Sequence, residues 1–422
     1  MFYKFPQITR IEPVLEAIKG SDDFRVTEKE GYKVINYNLA SSSTFPKVAM
    51  SDKPFVWANT TPDGMYVHAI TPEQDLFNSA VRRECRGLIF NDDGNLIRRA
   101  YHKFFNLNER EETLLDNVDF STPHVIMEKL DGSMVTPLFL PDETRGALHL
   151  RLATKAGITD VSMEAEVFIA NKPWYKEFME LCHAQGLMPI FEYVSPETRI
   201  VIHHKEPNLI LTAIRNQITG EYLPYFQMLI NAKYWNIPHV NDVYRSSSFL
   251  EDDIIKKIEN TSDTEGVVVR FDNGHMVKVK TLWYVAIHRA KDNLLHEKRV
   301  VELILEDKVD DVLGFLDPED RDRLDAYRTS FVNGLDATKK LLIHHYYPKA
   351  KSMSRKDFAL GFGKDIPGCY ASIIFSCWDK GVEHIEGEVL EVVKKSLTSQ
   401  AKIDKTRHIW GNAVWSFKVM NE

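Results

Sequence analysis

Nowhere in this sequence do about 18 apolar residues run together, the minimum for crossing a bilayer as a helix, and no sustained apolar stretch follows a basic one in Met1–Arg10. Neither a membrane span nor an export signal is expected, and the default compartment is the cytoplasm. Cysteine is scarce. Cys85, Cys182, Cys369 and Cys377 are the four, without a CxxC spacing, which argues against a zinc site and a disulfide framework. Only 18 prolines and 20 glycines occur in 422 residues, and no low-complexity tract or repeat stands out, which excludes disordered and fibrous classes. Excess positive charge is lacking too: 53 Lys+Arg against 61 Asp+Glu leave a net charge of −8, so any surface that contacts nucleic acid must be locally basic.

What is present is enough chain for two or three domains. Short β-rich runs recur at Tyr32–Tyr37, Gly87–Phe90, His124–Lys129, Met134–Leu140, Leu148–Ala153, Met188–Val194, Leu209–Ile214, Gly266–Phe271 and His275–Lys280. Between them, Ser162 to about Cys182 carries apolar residues at helical spacing and stops near Gly186, predicting one helix packed on a sheet. After about Asn293 strand signals nearly vanish, and helical periods run over Glu297–Leu316, Glu319–Tyr347, Ser354–Phe362 and Gly381–Leu397. The fold class is therefore α+β, a mixed or antiparallel sheet domain over 1–292 followed by an all-helical domain over 293–422.

Glu128-Lys129-Leu130-Asp131-Gly132-Ser133 sets a lysine at the end of an apolar strand before an Asp-Gly turn. Lysine attacks phosphorus only as the neutral amine, which desolvation and nearby cations favour. An Asp-Gly turn after a strand is also common in surface hairpins, and both readings stay open on these residues alone. Glu265-Gly266 leads into an apolar strand, Asn273-Gly274 marks a hairpin, and the returning strand puts Lys278 and Lys280 on one face, about 7 Å apart, able to bracket a phosphate. An amphipathic edge strand with solvated lysines gives the same pattern. Arg86 after Glu84-Cys85, and Lys103 before Phe104-Phe105, each set a cation beside glycine or aromatics; Arg86 can pair a polyphosphate bidentately and Lys103 can add a point charge. Glu192 lies on the face opposite Phe191 and Tyr193, where a carboxylate can accept from a ribose or simply face water.

In order along the chain, these segments resemble the covalent nucleotidyltransferases, ligases and capping enzymes alike: KLDGS, FEYV, EGVVVR and KVK match their successive motifs. The likeness is nearest to the T-even phage type of RNA ligase 1, through Tyr37-Asn38, ECRG, KFFNLNE, FEYV with RIV after it, and Trp283-Tyr284-Val285 after KVKT, and it covers nearly the whole chain. The resemblance implies an ATP-grasp-like adenylyltransferase domain and a three-step reaction. Lys129 takes AMP from ATP, AMP passes to an RNA 5′-phosphate, and a 3′-hydroxyl displaces it. Asp131, Gly132, Ser133, Glu265, Gly266 and Tyr284 match the other catalytic positions. Tyr37, Arg86, Lys103, Phe105, Lys155, Glu192, Lys278 and Lys280 match nucleotide-binding ones, Glu192 as the ribose contact. Magnesium is the implied ion, with manganese as a substitute, and Asp310 aligns with a metal contact, although Asp307 and Asp311 lie close by. The implied partner is RNA with 5′-phosphate and 3′-hydroxyl ends, a nicked tRNA among the forms it can take, in RNA repair within the cytoplasm of a phage-infected host. Neither a membrane nor an obligate protein partner is implied.

This sequence departs from that family in extra residues between about Phe45 and Ala80, and in Leu130 where the family carries an acid. DNA ligases and capping enzymes share the core but usually append an all-β OB domain, where this sequence turns helical. A non-catalytic RNA-binding module is the reading from another class, with Lys349 to Lys356 beside Tyr346 and Tyr347 as its footprint. Gly361-Phe362-Gly363-Lys364 fails as a P-loop, because Phe358 stands where the first glycine belongs and Asp365 replaces Ser/Thr.

Overall fold

A computed structural model describes residues 4–46, 72–141, 148–197, 201–243, 252–314 and 316–416. Residues 47–71, the bulk of the expected extra segment, and Arg199 of the RIV run lie outside the described residues. The chain divides into two compact units at Val285/Ala286.

The first unit holds three four-stranded sheets. β1 (Phe24–Lys29), β2 (Tyr32–Tyr37), β3 (Arg86–Asn91) and β4 (Leu96–Arg98) pair in that order. β5 (Phe105–Asn106), β6 (His124–Glu128), β11 (Gly266–Phe271) and β12 (Met276–Lys280) form a second sheet in the order β5-β12-β11-β6. β7 (Ser133–Pro141), β8 (Leu148–Ala153), β9 (Leu187–Val194) and β10 (Asn208–Asn216) form a third in the order β10-β9-β7-β8. Every pairing is antiparallel except the short β5–β12 contact. That contact places β12 inside its sheet, with Lys278 opposite Asn106, so the edge-strand reading of its lysines does not hold.

Seven α-helices, besides two short 3-10 turns at Glu111–Thr113 and Leu115–Asn117, complete the described part of this unit: α1 (Glu12–Ile18), α2 (Pro72–Glu84), α3 (Asp160–Ile169), α4 (Pro173–Ala184), α5 (Tyr225–Tyr234), α6 (Asp252–Glu259) and α7 (Leu282–Leu294), the last reaching past the division. The single helix expected from Ser162 to Cys182 is two. Pro173 lacks the N–H that would continue α3 and starts α4 instead, while Thr159 caps α3 by accepting from the Ser162 N–H. Tyr175, Phe178, Met179 and Cys182 of α4 then pack with Phe191 and Tyr193 of β9 in one core, which leaves Glu192 facing the other way.

A buried ion cluster ties α2 to the sheets. Glu84 accepts from Arg99 Nε at 3.1 Å and from Arg215 Nη1 and Nη2 at 2.8 and 2.7 Å. Burial alone would raise the Glu84 carboxyl, but Arg215 and then Arg99 override it and hold it down at about 2. Replacing Glu84 with alanine strands two buried guanidinium groups, so urea denaturation should show a loss of about 3–5 kcal/mol. Because the folded value lies below the ordinary 4.5, this stabilisation is fully present above that pH and is lost as pH falls toward about 2, where the deficit of Glu84→Ala should shrink.

Among the described residues the second unit is helical throughout. The period expected over Glu297–Leu316 is two helices, Glu297–Leu305 and Asp310–Leu313, because Asp307 between them takes the left-handed conformation at φ 54°. A long helix, Pro318–Leu341, starts behind Asp317, whose carboxylate accepts from the Asp320 N–H, and runs on through a π-helical turn at Leu342–Tyr346. Gly368–Ser376 and Gln400–Thr406 are helices that the sequence patterns did not pick out. Phe331, Phe358, Trp410 and Trp415 lie in the core they share. Among the described residues no helix is long and apolar enough to cross a membrane.

Candidate active site

β6 pairs with β11, whereas β7 pairs with β8 and β9, so the chain passes from one sheet to another between Glu128 and Ser133. Asp131-Gly132 is thus a crossing and not a hairpin turn. Its first residue is fixed by the Lys129 N–H, which donates to the Gly266 carbonyl at 2.8 Å. Gly132 lies so close to β9 that a Cβ would come within 2.4 Å of the Tyr193 oxygen. Gly266, at φ +137°, meets β12 equally closely, with a Cβ position 2.0 Å from the Val279 oxygen.

Asp131 is buried, and both its oxygens are engaged. Oδ2 accepts from the backbone N–H groups of Val201 and Ile202 at 2.7 Å each, and Oδ1 accepts from the Tyr284 hydroxyl at 2.7 Å. It positions the turn rather than acting as a free acid. Burial, and then the charges of Glu265 and Asp131, push the Tyr284 hydroxyl far above the usual tyrosine range, so it stays a donor. Thr281 holds Tyr284 in place, its hydroxyl accepting from the Tyr284 N–H at 3.0 Å at the start of α7.

Around this turn the cations gather. Glu265 is 4% exposed and pairs with Lys129 Nζ at 2.6 Å through one oxygen and with Lys280 Nζ at 2.9 Å through the other. Lys278 is held well below the ordinary lysine range, by burial first and then by Lys103, Lys129, Arg86 and Lys280. Its Nζ lies 5.2 Å from the centroid of Phe104. Lys103 Nζ is 5.3 Å from the Tyr37 ring and 5.0 Å from that of Phe105, and Lys155 Nζ is 6.0 Å from Tyr37. Burial would raise the Tyr37 hydroxyl, but Arg86, Lys103 and Lys155 outweigh it and bring it down. Phe105 is itself fully buried, a support for Lys103 with no face open for stacking. Ser133 is buried opposite Tyr193, and Glu192, half-buried opposite Met134, acts by its charge on Tyr284.

The structure therefore gathers Lys129, Asp131, Glu265, Lys280 and Tyr284 at one crossing and adds Lys278, Lys103, Arg86, Lys155 and Tyr37 as a cationic wall beside it. Such a wall suits a polyanion. Asp310 belongs to the second unit, is 75% exposed and pairs with Arg328 at 3.0 Å. Among the described residues no group of three or more His, Cys, Asp or Glu could hold a metal, and Asp310 as paired does not fit a ligand role. Magnesium needs fewer protein ligands when phosphate oxygens and water complete its shell. Thr281, the Val201 and Ile202 amides and the buried arginine of β4 were not singled out by sequence; of these, Thr281 before an apolar helical period has a readable N-cap signature.

The fold is α+β, and its lysine-bearing crossing sits beside a cationic wall suited to a polyanion. Residues 84–284 match the model of a T4-type family described as RNA ligase. A provisionally named RNA ligase of Thermovibrio ammonificans is 30% identical over 248 residues, 56% of this chain and 62% of its own length. RNA ligase 1 of bacteriophage TS2126 is 26% identical over 349 residues, 77% of this chain and 82% of that protein. Among solved structures, a provisionally named ATP-dependent DNA ligase from Aquifex aeolicus covers 78% of this chain and 74% of its own, at 15% identity and a TM-score of 0.39. The chain is thus similar to T4-type RNA ligases over residues 84–284, and it spans less than two thirds of the length of the Thermovibrio relative.

Proposed function

We propose that this chain is an ATP-dependent RNA ligase that works through a lysyl-AMP intermediate at Lys129. The observation that carries the reading is that Lys129 and Lys280 converge on Glu265 beside Lys278, inside the segment that matches the RNA ligase model. In the first step Lys129 Nζ attacks the α-phosphorus of ATP, a P–N bond forms, the bond to the β-phosphate oxygen breaks and pyrophosphate leaves. The amine must shed a proton for this, and Glu265 Oε2 at 2.6 Å is the nearest acceptor. In the second step an RNA 5′-phosphate oxygen takes the AMP and the P–N bond breaks. In the third a 3′-hydroxyl attacks the activated 5′-phosphate, a phosphodiester forms and AMP departs.

Lys278, Lys280, Lys103 and Arg86 hold the charge that builds on the transferring and leaving phosphates, with Tyr37 and Lys155 beside them and Glu192 as the ribose acceptor. Asp131, Gly132, Ser133 and Gly266 keep the crossing in shape. Magnesium, or manganese in its place, would supply charge neutralisation on the nucleotide's phosphates, with phosphate oxygens and water filling most of its shell; Asp310 would contribute a carboxylate oxygen only if freed from Arg328. Residues 1–292 form the adenylyltransferase domain, and residues 293–422, helical where described, select the RNA, a nicked tRNA loop among the possible substrates. The helical second unit supports this reading over a DNA ligase or a capping enzyme, which place an OB barrel there.

The test is incubation with α-labelled ATP or GTP and magnesium, followed by addition of 5′-phosphorylated single-stranded RNA or DNA. Label from ATP on denatured protein that moves to RNA and is released on joining is the expected result. Label from GTP would point to capping, transfer to DNA alone would point to a DNA ligase, and RNA binding without any adduct would leave a binding module.

A further inference from the structure

Four arginines are buried completely in the first unit: Arg99 and Arg215 share the carboxylate of Glu84, and Arg83 pairs with Glu112 at 2.6 Å. The fourth, Arg98, has no carboxylate partner among the described residues. Its guanidinium donates to Thr136 Oγ1, to the Gly87 carbonyl at 2.6 Å and to the Ala153 carbonyl at 3.1 Å. Those acceptors belong to β7, β3 and β8. Gly87 follows Arg86, Ala153 ends the strand leading to Lys155, and Thr136 lies on the strand that the Lys129 crossing enters. The packing is close: a Cβ on Gly87 would meet Arg98 Nη1 at 2.7 Å and the Lys155 carbonyl at 2.8 Å.

An uncompensated buried charge is costly, and a neutral amide could satisfy two of these acceptors without that cost. Burial and then the charge of Arg86 lower Arg98 to about 9, which leaves it charged at neutral pH. The same polarity that disfavours it in the folded protein favours an anion at the cationic wall formed by Arg86 and its neighbours.

Resting on the reading of the site as a nucleotide site, we propose that Arg98 is a positioning residue for the nucleoside triphosphate: its unpaired guanidinium ties the strands bearing Arg86, Lys155 and the Lys129 crossing, and its charge strengthens binding of the polyphosphate. Arg98 touches no substrate. It acts through Arg86 and Lys155, and bound polyphosphate offsets the strain of its burial.

Thr136→Asp tests this directly, because it gives Arg98 a carboxylate in place of a hydroxyl at nearly constant size. The expected result is a higher Tm without nucleotide together with about a tenfold rise in the ATP concentration for half-maximal adduct formation, the adduct rate at saturating ATP being little changed. A folded Thr136→Asp protein with unaltered ATP dependence would overturn the proposal. If that variant does not fold, Arg98→Lys, which keeps the charge, should hold ATP nearly as well as the parent, whereas Arg98→Gln should lose about tenfold; equal behaviour of the two would overturn it. Should the parent form no adduct, the ligase reading fails. Calorimetric titration of the same proteins with pyrophosphate then still decides the role of Arg98.

Discussion

Lys129→Ala should form no AMP adduct at any ATP concentration and should fail to join RNA from ATP, a loss of at least about 10⁴-fold, the scale seen when a nucleophile is removed from a group of residues that act together. Lys280, the nearest other lysine on Glu265, is held by that carboxylate's second oxygen and is not expected to replace it. The same variant should still join RNA that carries a pre-formed 5′-adenylate, because the third step uses only the 3′-hydroxyl and the phosphate-binding cations. Glu265 keeps its bond to Lys280, so the fold should survive, and unchanged circular dichroism would show it. An adduct on Lys129→Ala, found by mass spectrometry of peptides, would move the nucleophile elsewhere and sink the assignment.

Asp131→Ala is expected to damage both stability and chemistry. It removes the acceptor of two backbone N–H groups and of the Tyr284 hydroxyl at once. At ~1–3 kcal/mol for each of the three donors left without a partner, the cost is on the order of 3–9 kcal/mol, or a fall in Tm of about 10 °C or more. Adduct formation should fall by at least about 100-fold even at temperatures where the variant is folded, because the crossing that aims Lys129 loses its anchor. Asp131→Asn keeps an acceptor for the amides and should lose less stability than alanine. Calorimetric scans with single-turnover labelling would separate the two effects. Full activity in a folded Asp131→Ala would show that Gly132 and the flanking strands suffice to aim the lysine.

The strands were legible because apolar alternation is local: Leu148–Ala153 and Gly266–Phe271 begin and end where the pattern does. The break before Pro173 was missed because apolar spacing continues across it, although the proline itself was the signal. Lys129 stood out only through the company of its motifs. The turn's geometry did not, since Asp-Gly reads as a hairpin and the partners that make it a sheet crossing come from distant strands. The anchors of Asp131 lie 70 and more residues away, at Val201, Ile202 and Tyr284, and no local pattern links them. Arg98 looks in sequence like any strand-end arginine beside another. Its lack of a counter-ion among the described residues is visible only in three dimensions.

The crossing from β6 to β7 also limits how the gene can change. Each flank of the four residues Lys129 to Gly132 is locked into its own ladder, Glu128 opposite Val267 and Ser133 opposite Tyr193. Strand side chains alternate with a period of two, so one inserted or deleted codon must be absorbed by turning one strand over or by breaking a ladder. Surface connections in this chain can lengthen at little cost, but this one has a fixed length, and reading-frame-preserving insertions should be tolerated in surface loops of the first unit before they are tolerated here.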